Sequence, residues 1–196
     1  MAKADPAAAQ KERLKTIRWV VTIFLVTILV SGVISLASDV LMANSSMGVA
    51  FIILLIIIFI GIVFDIVGMA VATADEKPFH SMAARKVPGA QEAIKLLRNA
   101  ERVSSICNDV VGDICGVVSG SASATIAVQI LKEFDFRWPQ IVSLAMSALA
   151  AGLTVGGKAI GKSFAVNSST TIVHAVGKIV GLLNNKPQAK DKKKTK

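Results

Sequence analysis

Asp109 and Asp113 are the side chains in this sequence best placed to do chemistry, within Ile106-Cys107-Asn108-Asp109-Val110-Val111-Gly112-Asp113. A spacing of four on an α-helix puts both carboxylates on one face, roughly 6 Å apart along the axis. Gly112, Gly116 and Gly120 follow, small residues that let neighbouring helices approach closely. Acids in so apolar a stretch are costly, so they point to a polar site facing a protein interior or a water-filled cavity. The alternative is that one or both pair with a basic side chain and only fix helix packing.

Other patterns carry less. Gly156-Gly157-Lys158-Ala159-Ile160-Gly161-Lys162-Ser163 fits the phosphate-loop spacing G-x-x-x-x-G-K-[ST]. That loop works only between a strand and a helix, and here an Ala-rich apolar helix precedes it, so no nucleotide is expected. Cys107 and Cys115 are eight residues apart on one helix, about 12 Å along its axis, too far to bridge each other. They read as packing residues. No Ser/His/Asp or Cys/His constellation, paired-Cys motif or dinucleotide fingerprint is present, so the chain does not read as an enzyme.

Composition names the elements that must hold the acids. The 196 residues are 53% hydrophobic, with a mean hydropathy of +0.62. A soluble domain averages about 45–50% apolar even with glycine included. The fold class is therefore an all-α integral membrane protein with four transmembrane helices and amphipathic juxtamembrane helices. The net charge of +9 does not imply nucleic acid, because few aromatics accompany it and Tyr is absent.

Residues 1–18 form a basic N-terminus, loosely ordered at first, and residues 19–183 the transmembrane domain with its juxtamembrane helices. The first span covers 19–41. It is too long for a signal-peptide core and lacks a prompt cleavage site, so it reads as a retained helix. Thr27, Ser31, Ser35 and Asp39 give it a polar stripe facing its neighbours, with Asp39 solvated at the helix end. The second span, 48–74, places Gly61, Asp65, Gly68 and Ala72 on one face. Residues 75–102 turn amphipathic and basic, with short helices over 79–86 and 90–101 interrupted at Val87-Pro88-Gly89. Ala93, Leu96, Leu97 and Ala100 lie on one side of the second, suited to the membrane interface. The third span is 103–131. The fourth, 140–161, carries Gly152 and Gly156 among many Ala and Ser residues, as a packed interior helix should. After Asn167, Ile172, Val173, Val176, Ile179, Val180 and Leu183 line one face of a further amphipathic stretch, with His174 and Lys178 away from it. Residues 184–196 read as a disordered, solvated, lysine-rich tail.

Charge distribution orients these spans. The segments 1–18, 75–102 and 158–196 hold 5, 6 and 9 Lys/Arg, and only Lys132 and Arg137 of the 22 fall elsewhere. This bias puts both termini in the cytoplasm of a multi-pass plasma-membrane protein. At about 1.5 Å of rise per residue, Asp65, Asp109, Asp113 and Lys158 then fall in one inner-half layer. Three acids against one base make an oxygen-rich site for a hard divalent cation, to which Asn108 can add a carbonyl oxygen.

Residues 48–183 resemble the transmembrane domain of the CorB/CorC and cyclin-M (CNNM) magnesium-transport family, without its CBS modules. Phe64-Asp65-Ile66-Val67-Gly68-Met69-Ala70 is similar to the family pattern F-S-A-x-E-x-A. Asn108-Asp109-Val110-Val111-Gly112-Asp113 resembles G-N-x-L-V-N, and Gly157-Lys158-Ala159-Ile160-Gly161-Lys162-Ser163 resembles G-E-I-I-P-K-S. The resemblance implies a helical homodimer in the lipid bilayer that transports Mg2+. By position, the Ser, two Asn and Glu of the family's dehydrated Mg2+ site become Asp65, Asp109, Asp113 and Lys158.

The expected function is therefore binding or transport of a divalent cation, Mg2+ or Co2+, with Asp65, Asp109, Asp113 and Asn108 as ligands and Lys158 as counter-charge. Gly61, Gly68, Gly112, Gly116, Gly120, Gly152 and Gly156 serve helix packing. The competing expectation is a non-transporting membrane scaffold with an internal Asp–Lys network; a proton- or sodium-coupled carrier is a third.

Overall fold

The computed structural model describes residues 6–43, 45–134 and 137–184; the lysine-rich segment from 185 onward and the turn residues Asn44 and Phe136 lie outside them. The described residues form helices α1 (Pro6–Ala43), α2 (Met47–Thr73), α3 (Lys77–Ala84), α4 (Ala90–Arg98), α5 (Ala100–Ser105), a π-helix (Ile106–Gly112), α6 (Asp113–Glu133), α7 (Pro139–Asn167) and α8 (Ser169–Asn184). No strand occurs among them. Four helical stretches are long and apolar enough to cross a membrane: Arg13–Met42, Met47–Thr73, Ala100–Glu133 and Pro139–Asn167. The chain thus has the all-α, membrane-type fold expected of it.

Several boundaries move for local reasons. α1 begins at Pro6, well before the apolar run, because Pro suits a first helical turn and Ala7-Ala8-Ala9 with Lys11, Glu12 and Arg13 are strong helix formers. The expected helix over 90–101 breaks at Asn99, whose side-chain amide donates to the Lys95 carbonyl at 2.9 Å. Such a local bond competes with the helix ladder. The fourth span does not stop at residue 161; α7 continues to Asn167. The whole Gly156–Ser163 pattern is therefore helical, not a loop between strand and helix.

The chain divides into two compact units, the first comprising Met1–Ile62 and Asp109–Gly157. Here α1 packs along α6. Met42, Leu54, Ile58, Ala122, Ile126 and Met146 form one buried cluster, and Val110, Ile114 and Val118 a second with Ile23, Val30 and Ile57 against it. The polar stripe of α1 turns partly inward at Thr27, Ser31 and Ser35, but Ser38 takes its buried end while Asp39 stays exposed. The Ser121 hydroxyl donates to Asp39 Oδ1 at 3.5 Å, and Gln129 Nε2 donates to the Met42 carbonyl at 3.0 Å.

The second unit comprises Val63–Asn108 and Lys158–Lys196. Ala70, Val71, Phe79, Ala93, Ala165 and Val173 make its core. Phe79 is fully buried and locks α3 in place, a contribution of about 1.5–3 kcal/mol. The connection from α3 to α4 is a tight turn in which Lys86 (φ 57°) and Gly89 (φ 85°) are left-handed. A side chain at Gly89 would be strained by that φ, and its Cβ would also lie 2.6 Å from the Lys178 backbone nitrogen. The turn is held to α8 on its other side, where His174 Nε2 lies 3.1 Å from the Pro88 carbonyl oxygen.

One expected face is split. On α8, Val173 is buried and Ile172, Val176 and Val180 are half-buried, but Ile179 and Leu183 are 57% and 82% exposed. The helix is apolar over more of its circumference than a single core contact covers.

Candidate functional site

Asp65 is one of the few buried polar residues, 6% exposed on a helix dominated by Ile, Leu, Val and Phe. Within its own unit it meets Lys158 of α7, with Nζ 3.3 Å from Oδ1. Both side chains are shielded, so the pair is screened far less than a surface salt bridge. Of the residues singled out by sequence, these two are brought together.

One helical turn after Asp65 on α2 stands Gly68. The missing side chain matters there: a Cβ would collide with Asn108 Oδ1 and lie 3.0 Å from the Cys107 Cβ. Gly68 thus lets the π-helix bring Asn108 directly onto the α2 backbone. Asn108 Nδ2 donates to Ser104 Oγ at 3.3 Å, while its Oδ1 is buried without a hydrogen-bond partner. Exchanging the two amide atoms would only transfer the unsatisfied position to nitrogen. Ser104 was missed in the sequence, although its place four residues before Asn108 is the ordinary spacing of a helical side-chain pair.

Asp109 and Asp113 belong to the other unit. Val110 and Ile114 turn into its core, and both Asp residues stand on its exposed side. Their expected α-helical spacing is corrected by the structure: Asp109 lies in the π-helix and Asp113 is the first residue of α6. A π-turn bonds i to i+5 rather than i+4, and such turns occur frequently at functional sites. Among the described residues, no three His, Cys, Asp or Glu side chains are gathered closely enough to hold a metal ion.

The glycines fall into two groups. A Cβ at Gly61 would lie 2.8 Å from the Cys115 Cβ, so Gly61, like Gly68, marks a close helix approach. Gly112 is buried, whereas open space faces Gly116, Gly120, Gly152 and Gly156. A separate polar group joins α3 to α4, where Glu76 Oε1 lies 3.1 Å from both His80 Nε2 and Arg98 Nε.

Compared with known proteins, the chain matches no described family, no curated protein and no solved structure. The chemistry of Asp65, Lys158 and Asn108 therefore has to speak for itself.

Proposed function

We propose that this chain handles a divalent cation, Mg2+ or by the same chemistry Co2+, inside the plasma membrane, as its resemblance to CorB/CorC and cyclin-M domains implies. The observation that carries the reading is a buried carboxylate, Asp65, held by Lys158 in the same unit as the unsatisfied Asn108 oxygen. Mg2+ keeps several of its waters and binds through one or two carboxylates, so a carboxylate and a neutral carbonyl suit it. Lys158 occupies the carboxylate as a tethered positive charge, which an arriving cation has to displace. The working form is a homodimer with both termini in the cytoplasm. The direct test is flux: purified protein in proteoliposomes carries Mg2+ across the bilayer, and Asp65→Asn abolishes that flux. Absence of flux for every divalent cation tried would overturn the reading.

A second reading is favoured by the 3.3 Å separation itself. If Lys158 neutralises Asp65 permanently, the pair fixes α2 against α7 and the protein is a non-transporting membrane scaffold. Thermal unfolding in detergent separates the two, because a ligand that binds the native state raises its stability. Protection by Mg2+ supports cation handling; indifference to it supports the scaffold.

A further inference from the structure

Among the described residues, the outward stripe of α8 has no partner in its own unit. Ala175, Ile179, Leu182 and Leu183 fall on one side of the helix, away from buried Val173 and Gly177. Three of them are large aliphatics, with Leu182 76% exposed and Leu183 82%. Exposing such a row to water is costly, at about 25 cal/mol per Å² of apolar surface. The helix cannot relieve this by crossing a bilayer, because 16 residues span only about 24 Å. Continuity with α7 gives its location: a single residue, Ser168, separates α8 from a helix of membrane-spanning length. α8 therefore follows a helix of membrane-spanning length with no linker to carry it away from the bilayer surface.

Charge identifies the kind of surface it meets. Lys178 borders the stripe and lines, with Leu182, a cleft of about 460 Å³ that also includes Pro88, Gly89 and Glu92. Lys86 lines a second cleft on the other side of the same turn. Glu92 is offset by Lys95, 4.0 Å away. Beyond the helix the sequence carries six lysines and one aspartate in residues 186–196. Four to eight basic residues beside an amphipathic helix are the composition that meets anionic headgroups, at about 1 kcal/mol per charge near the surface.

We propose that α8 is an in-plane anchor for an anionic lipid surface, with Ile179, Leu182 and Leu183 in the acyl boundary and Lys178 at the acidic headgroups, the lysine-rich sequence that follows adding positive charge. The inference requires no cation transport and stands apart from that reading.

The full chain tests it in nanodiscs of phosphatidylcholine alone or of phosphatidylcholine with phosphatidylglycerol. Leu182→Cys, in a Cys107→Ala, Cys115→Ala background, is labelled with an environment-sensitive fluorophore. An interfacial helix buries about 5–10 Å into the headgroup and acyl boundary. The expected result is blue-shifted emission, quenched by brominated acyl chains and not by aqueous iodide. Replacing Lys178 and the six lysines after it by Gln is expected to abolish the additional shift that phosphatidylglycerol causes, as does high salt. A label quenched equally by iodide with and without phosphatidylglycerol overturns the proposal. So does efficient disulfide cross-linking of Leu182→Cys to a second copy, which would make the stripe a protein interface. Because the fluorophore sits on an exposed position, a failure of the lysine variant to fold leaves the depth measurement decisive.

Discussion

Lys158 decides between two chemistries that share one geometry. Replacing it by Met leaves Asp65 without its 3.3 Å partner. If the pair is a permanent brace, the loss of one member of a buried pair costs about 3–5 kcal/mol. In that case the double variant Asp65→Asn, Lys158→Met recovers most of the loss, since a neutral pair leaves no stranded charge, and Mg2+ has no effect on unfolding. If Asp65 is a cation ligand, Lys158→Met instead binds Mg2+ more tightly and its melting temperature rises steeply with Mg2+. One titration of thermal unfolding, run on three proteins, distinguishes the outcomes. Gly68 offers an independent check. Gly68→Ala collides with the Asn108 amide, so that side chain must leave its seat on α2. We expect this variant to lose about 1–3 kcal/mol of stability, the range for overpacking a close contact, and to lose cation response with it. Asp65 and Gly68 were legible in the sequence as one helix face, because a period of 3.6 needs no tertiary information. Lys158 was also expected as a counter-charge at the depth of Asp65, because span direction and helical rise fix depth; that Asn108 would cover Gly68 rests on packing between segments far apart in the chain.

At the scale of elements, local signals succeeded wherever the residue itself sets the backbone. Val87-Pro88-Gly89 broke the helix as its composition requires, and Gly89 supplies the left-handed φ that the turn needs. Gly89→Ala is therefore expected to destabilise the second unit by about 1–3 kcal/mol, through strain and through collision with α8. His174→Ala removes one contact to the same turn and should cost about 1 kcal/mol at most. Comparing the two by thermal unfolding tests whether the turn depends on backbone fit more than on the imidazole. The π-helix over Ile106–Gly112 was not legible, since its hydrophobic pattern differs little from that of an α-helix over so few residues. Nor was the split face of α8: periodicity marks which residues are apolar, not which apolar residues find a protein neighbour.

For the molecule as a whole, the basic bias predicts opposite accessibility for its turns and its ends. In intact cells, Ser46→Cys and Arg137→Cys should react with an impermeant thiol reagent and Lys194→Cys should not. Labelling of Lys194→Cys from outside would reject the four-span topology. The pairing of Asp65 with Lys158 also has a temporal side. Lys158 is made 93 residues after Asp65. At about 5–20 residues per second, α2 waits some seconds with an acid in its apolar sequence and no counter-ion. An acid left alone in such surroundings is costly, so α2 is an unfinished helix until its partner arrives. The environment of Asp65 is thus completed late in biosynthesis, when α7 supplies Lys158. A chain ending at Gly156 would hold α2 in this provisional state for its lifetime and become a target for quality control. Its turnover in pulse-chase labelling should slow when Asp65 is replaced by Asn, while the same replacement in the full chain should quicken it by stranding Lys158.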